Sequence, residues 1–313
     1  MKPFSKILSV RTLPVLLFCI CLLSVLLSCP LRSCAEEPEV SLNTKKVTLF
    51  KGETCQLNLT GADETVTWKS TKPKVASVDS AGLISALSGG TAKIKAVFGG
   101  ITYTCRLIVY NPGNVQTAGA QKGIDISSWQ GQVDFEEVKK AGISFVILRI
   151  GHGTAADPYF EANYKKACAA GLKVGGYWFS TAKSKTAVKK EAARCLKQLS
   201  GKTLDFPVFF DIESLSQFRK GKKFCTAITN IFCSKIADAG FKAGWYTSSS
   251  FVTRYLKKSV YGSTNYMSWI AEHAYVNNYS QVYDIWQYSH TGRIPGVRTY
   301  VDMNWYFPAG SAV

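Results

Sequence analysis

From Lys122 onward, the 313-residue chain alternates short apolar runs of strand length with amphipathic stretches of helix length, a pattern few folds accept. The strand-like runs are 123–127, 145–150, 174–179, 207–213, 243–247, 266–271, 283–288 and 300–305, and helical stretches at 134–141, 158–170, 186–199, 223–239 and 251–256 separate the first six. Asp134 reads as an N-cap, Asp157 stands before Pro158 at a helix start, and Gly171 and Gly240 close helices. Eight strands, with the last three joined without helices, predict an α/β fold: an irregular TIM-like (β/α)5β3 barrel over residues 122–313. In such barrels the chemistry sits at the C-terminal ends of the strands and in the loops that follow. The polar residues there are Asp125, Arg149, His152, Asp211, Glu213 and Gln287 beside Tyr288, with Asp302 on the eighth strand.

The most telling run is FPVFFDIE, 206–213, in which a buried strand ends in two carboxylates. Residues two apart on a strand share a face, so Asp211 and Glu213 project together, with Cα atoms roughly 6–7 Å apart. Neighbouring carboxylates resist double ionisation, which leaves one an acid and the other an anion near neutral pH. Glycoside cleavage uses such a pair. A strand that merely ends in solvent with two charges accounts for DxE alone equally well.

The surrounding motifs decide between these. GIDISSWQG (123–131), FVILRIGHG (145–153), DPYFEANYKKACAAGLKVGGYWFS (157–180), FPVFFDIE, AGWYTSSSF (243–251), WIAEH (269–273), DIWQYS (284–289) and VDMNWY (301–306) together resemble the glycoside hydrolase family 25 muramidases, the lysozymes of the Chalaropsis type. The resemblance covers almost all of residues 122–307, in family order. It implies hydrolysis of the β-1,4 bond between N-acetylmuramic acid and N-acetylglucosamine in peptidoglycan, with no cofactor. It implies further that Glu213 is the general acid and that Asp211 stays ionised, stabilising the anomeric centre or orienting the N-acetyl group. Asp125 and Asp302 would hold substrate groups and tune the charge of the pair. Retention or inversion is left open. The third strand departs from many relatives, reading Tyr177, Trp178, Phe179, which bears on subsites.

Aromatic residues at strand ends are candidates for stacking on sugar rings. Trp129, Tyr177, Tyr246 and Trp286 are expected to line the cleft, with Trp269, Gln287 and Tyr288 also binding substrate. Arg149 either holds a carboxylate of the cluster or caps the barrel mouth. His152, His273 and His290 are scattered in sequence, and no metal site is expected.

Before the barrel, residues 38–111 read as short strands punctuated by turns: VSLN, KVTLF, TCQLNLT, TVTWKS, VASVDS, LISALS, TAKIKAVF and TYTCRLIVY. This small all-β sandwich resembles the bacterial Ig-like group 2 domain, which implies a spacer or adhesive module. NPGNVQTAGAQ, near 112–121, reads as a linker. At the start, Lys2, Lys6 and Arg11 precede an apolar stretch from Leu13 to Cys29, so residues 1–35 are expected to be a cleaved signal peptide. A lipid anchor at Cys29 or an uncleaved membrane span are the alternatives, and the membrane would be met only through this segment. The expected location is secreted or at the bacterial cell envelope, as a monomer.

The six cysteines beyond residue 35 suit disulfides in an oxidising compartment, Cys55 with Cys105 first, or buried thiols in an anaerobe. The net charge of +17 is concentrated in the barrel: four bases and no acid in 1–35, nine against seven in 36–120, and 25 against 14 beyond. Such charge draws anionic wall polymers. No nucleic-acid-binding pattern is present, so nucleic acid is not an expected partner. Two rival functions stay open: an inactive wall-binding or adhesive protein, and a hydrolase of another amino-sugar polymer such as chitin.

Overall fold

A computed structural model describes residues 39–63 and 65–308. The expected signal peptide or anchor at 1–35 lies outside the described residues. Among the described residues no helix is long and apolar enough to cross a membrane. The architecture is mixed α/β, a closed eight-stranded barrel preceded by an Ig-like module.

The barrel strands are Gln121–Ile126, Phe145–His152, Lys173–Phe179, Val208–Asp211, Ala243–Ser248, Met267–Ala271, Ile285–Gly292 and Val301–Tyr306. The first seven run parallel in chain order. The eighth pairs antiparallel with both the seventh and the first, which closes the ring. Helices Phe135–Lys140, Phe160–Ala169, Lys185–Leu199, Gly221–Asp238 and Ser249–Tyr255 fill the first five connections, with short helices Leu215–Phe218 and Lys258–Tyr261 beside the last two. Asp134 caps the first helix, its side chain accepting from the amides of Glu136 and Glu137, and Ser184 caps the third from Ala187.

Alternation along the strands sorts side chains into two cores. Phe145, Ile147, Phe209, Trp269 and Ile285 fill the barrel interior. Val146, Leu148, Trp178, Phe210 and Trp286 face outward, in the core that includes the helices. Phe145 stacks on Phe206 with centroids 4.6 Å apart. A side chain at position 123 would run into the Phe145 ring, so only glycine fits there.

In the Ig-like module, strands Lys46–Phe50, Ile101–Tyr110, Gly90–Phe98 and Thr67–Ser70 form one sheet, and Thr54–Gln56, Leu83–Ala86 and Ala76–Val78 form the other. The run 54–60, expected as one strand, breaks at Leu57. That side chain is fully buried, and its amide bonds to Gly82 O instead of continuing a ladder. Leu59–Thr60 then pairs separately with Ser41–Leu42.

One expectation is corrected here. The six described cysteines are free thiols. Cys55 and Cys105 are neighbours, but each thiol turns to the next residue's carbonyl, on Gln56 and Arg106. Cys195, Cys225 and Cys233 serve as apolar core. The segment joining the two parts lies against the barrel: Asn111 bonds Tyr275 O and receives the Asn277 amide, Pro112 O accepts the Tyr283 hydroxyl, Val115 is buried and Gln121 belongs to the first strand.

Candidate active site

A cleft of about 360 Å³ opens at the C-terminal ends of the barrel strands, and Asp125, Asp211, Glu213 and Asp302 all line it. Asp125 lies inward on the first strand, opposite Asp302 in the register of the eighth. Its Oδ2 accepts from Gln287 Nε2 at 2.9 Å and Asn304 Nδ2 at 2.8 Å. Asn304 Oδ1 in turn accepts from Trp269 Nε1 at 2.8 Å. Gln287 Oε1 accepts from the Tyr246 hydroxyl at 2.9 Å and stands 2.9 Å from His273 Nε2. With its amide nitrogen spent on Asp125, this oxygen is an acceptor, so His273 carries its proton on Nε2. His273 Nδ1 then meets His290 Nδ1 at 2.8 Å, and one proton lies between the two rings. These histidines, far apart in sequence, are therefore adjacent.

The fourth strand ends at Asp211, yet Ile212 N still bonds Tyr246 O at 3.0 Å. Extended pairing thus continues past the strand and brings Glu213 to the side Asp211 faces. On the flank, Ser180 N bonds Asp211 O at 3.0 Å. Glu213 is half-buried and its pKa is raised, by burial first and then by the Asp302 charge. Asp211 is raised well above the carboxylate range by burial, then by Glu213 and Asp125, with Arg149 opposing. Its Oδ1 is buried without a hydrogen-bond partner. Asp125 is raised by burial and Asp302, against the two amide donors. For Asp302, burial raises the pKa while His273 and His290 lower it. Four carboxylates in one cleft repel one another's charges, which favours the protonated forms over full ionisation.

Arg149 holds a carboxylate, but one not among the four. Its Nε bonds Asp157 Oδ2 at 2.7 Å and its Nη2 bonds Ser128 Oγ at 2.8 Å. Asp157 also accepts the Ser128 amide, so the pair pins the turn Ser128–Gln130 at the rim. That turn presents Trp129, 80 % exposed, over the cleft. Tyr177, Tyr246 and Trp269 line the cleft wall, with Trp269 4.4 Å from Tyr246 and 6.0 Å from Tyr177 between ring centroids.

Trp286 and Tyr288 do not face the cleft. Both flank the inward Gln287 on the same strand, so alternation points them outward, where they pack on Tyr110 of the Ig-like module. Asn304, His273 and Asp157 are the functional positions missed from sequence. Asn304 stands two residues beyond Asp302, the spacing that places it on the inward face. His273 follows the sixth strand, in the WIAEH motif. Asp157 had been read only as a helix start. A larger groove of about 760 Å³, between Gln132–Glu137 and Ile294–Arg298, contains none of the four carboxylates. Among the described residues no set of three or more His, Cys, Asp or Glu side chains is arranged to hold a metal ion.

The sequence model of the glycosyl hydrolases family 25 matches residues 124–297, and that of the bacterial Ig-like domain (group 2) matches residues 38–103. The autolytic lysozyme of Clostridium acetobutylicum is 30% identical over 187 residues, which are 58% of this chain and 55% of that protein. The chain thus spans about half the length of that relative. Lysozyme M1 of Streptomyces globisporus is 32% identical over 215 residues, 61% of this chain and 69% of that protein. The bacterial lysozyme structure from Streptomyces coelicolor superposes with a TM-score of 0.52 at 29% identity, covering 61% of this chain and 93% of that one.

Proposed function

The chain belongs to glycosyl hydrolase family 25, and from that membership we propose that it is an N-acetylmuramidase, hydrolysing the β-1,4 bond between N-acetylmuramic acid and N-acetylglucosamine in peptidoglycan. Two similar proteins are lysozymes by name, which supports the substrate class. One observation carries the most weight: four carboxylates from three strands and one loop share a single cleft in which Glu213 is biased towards its protonated form.

In this reading Glu213 donates its proton to the glycosidic oxygen as the bond to the anomeric carbon breaks. Asp211 takes the acetamido N–H of the sugar on its unpartnered Oδ1, which restores a donor to a buried carboxylate and steers the acetamido oxygen towards the anomeric carbon. That oxygen forms the new bond, and water, deprotonated by Glu213, then opens the ring so formed with net retention. Asp125, saturated by Gln287 and Asn304, and Asp302, flanked by two histidines, tune the charge of the pair. Trp129 offers an aromatic face to a sugar ring, with Tyr177, Tyr246, Trp269 and Gln287 shaping the floor.

The barrel is read as the irregular TIM-like (β/α)5β3 type over residues 122–313, and the protein as a secreted or envelope-associated one, exported through residues 1–35. Reducing-end release from purified peptidoglycan, with mass spectrometry of the products, tests the assignment. The parent chain should yield muropeptides ending in N-acetylmuramic acid, and Glu213→Gln should be slower by roughly 10²- to 10⁴-fold. Binding to wall without release by either protein would sink the catalytic reading.

A further inference from the structure

Two ten-residue segments, 181–190 and 214–223, contain eight cations and no carboxylate. The first holds Lys183, Lys185, Lys189 and Lys190, and the second holds Arg219, Lys220, Lys222 and Lys223. All eight are exposed, and none forms an ion pair among the described residues. Among the described residues the one side-chain contact recorded for these eight is Lys220 Nζ over the Phe224 ring at 5.4 Å.

The fold brings the two segments together. Gln217 Nε2 donates to Ser180 Oγ at 2.9 Å and to Ala182 O at 3.2 Å, tying the loop after Glu213 to the loop after Phe179. Helices Lys185–Leu199 and Gly221–Asp238, which these loops enter, pack side by side. The carboxylates that abut the two segments in sequence both turn inward: Glu191 is buried on Ser180 and Thr181, and Glu213 lines the cleft. Like charges gathered in touching segments repel one another, and folding alone gives no reason to collect them.

Position adds a second constraint. Both loops leave the C-terminal ends of strands whose last residues, Phe179 and Asp211, line the cleft, so the cations crowd the shoulder of the end into which the cleft opens. We propose that this shoulder is a docking surface for a phosphodiester polymer carried on the glycan strand that lies in the cleft. The inference rests on the muramidase reading for its choice of polymer: a chain attached to the bound glycan leaves the cleft over its rim and meets the cations there. Each phosphate offers one negative charge to flexible ammonium groups, which need no fixed geometry to pair with it.

The test uses the full chain carrying Glu213→Gln, so that binding is read without turnover. Its probes are purified Gram-positive wall sacculi, the same sacculi after cold hydrofluoric acid has removed phosphodiester polymers, and soluble poly(glycerol phosphate). The expected results are binding to intact sacculi and to poly(glycerol phosphate) that weakens at least roughly tenfold between about 50 and 200 mM salt. Lys220→Glu, Lys222→Glu and Lys223→Glu together should weaken both about tenfold or more, while Lys69→Glu with Lys93→Glu, exposed on the Ig-like module, should not. On acid-treated sacculi the shoulder variant and its parent should bind alike. Binding indifferent to the acid treatment or to the shoulder substitutions would overturn the proposal. Equal affinity for duplex DNA of matched charge would also overturn it, since that is attraction to any polyanion. Failure of the muramidase reading would appear separately, as acid-treated glycan left uncut by the Glu213 parent.

Discussion

Asp211 is held against its charge: it is buried, beside Glu213 and Asp125, and has one oxygen unpartnered. Its folded pKa lies above the unfolded one, so between the two values the native state binds more protons than the unfolded state, and stability falls as pH rises through that window. Above the folded pKa the penalty is complete. Asp211→Asn removes it, and at neutral pH the variant should melt a few degrees higher, about 2–4 °C for each kcal/mol recovered, while losing most activity. Melting followed by circular dichroism, beside the muropeptide assay, checks both halves; a lower melting temperature would refute the strain. As the proposed general acid, Glu213 must be protonated to act, so its pKa would set the alkaline limb of activity. The Asp302 charge raises that pKa. Asp302→Asn should therefore move the alkaline limb of kcat/KM to lower pH, and an unchanged limb would show that Asp302 does not reach Glu213.

At the scale of elements, the helix Lys185–Leu199 does more than cover the barrel. Its buried Glu191 receives the Ser180 hydroxyl at 2.6 Å and the Thr181 amide at 3.0 Å, and Ser180 receives Gln217, from the helix just after Glu213. Glu191→Ala would strand these donors in the core, at a cost of about 2–4 kcal/mol in urea unfolding, and would loosen the loop holding the acid, lowering kcat. Glu191→Gln, which keeps one acceptor, should cost less than half as much. Barrel strands and helices were legible in the sequence because their periods differ and their ends carry signals, as at Asp134 and Gly171. The shared face of Asp211 and Glu213 followed from period two, and Asp125 and Gln287 from their place at strand ends. The same rule, applied to DIWQYS, would have turned Trp286 and Tyr288 outward, but their aromatic character outweighed their parity. The break at Leu57 was hidden because its cause is the Gly82 carbonyl, 25 residues away, and no local signal announces such a partner. The His273–His290 contact was hidden for the same reason, and the Arg149–Asp157 pair, though only eight residues apart, was hidden because a turn after the strand folds Asp157 back.

In the whole molecule, the Ig-like module keeps a core of its own but lends Phe50 and Tyr110 to the core that includes the barrel helices. Phe50 meets Trp305 edge-on at 4.9 Å, Tyr110 packs on Tyr288 at 4.7 Å, and both belong with Val115 to the apolar cluster that includes the barrel helices. Backbone bonds between Asn111 and both Tyr275 and Asn277 add a hydrogen-bonded seam. The loop so gripped, after the sixth strand, begins beside His273, whose ring reaches Gln287 and through it Asp125. The module is therefore positioned to steady the cleft and not simply to space it from a surface. If this seam couples them, the two parts melt together, and scanning calorimetry of the chain should show one transition. Phe50→Ala, which empties a buried aromatic site at the seam, should lower that transition as a unit, by about 2–4 kcal/mol of stability. Two separated transitions in the parent, or a Phe50→Ala effect confined to one of two, would show that the modules fold independently and that the seam is incidental to the site.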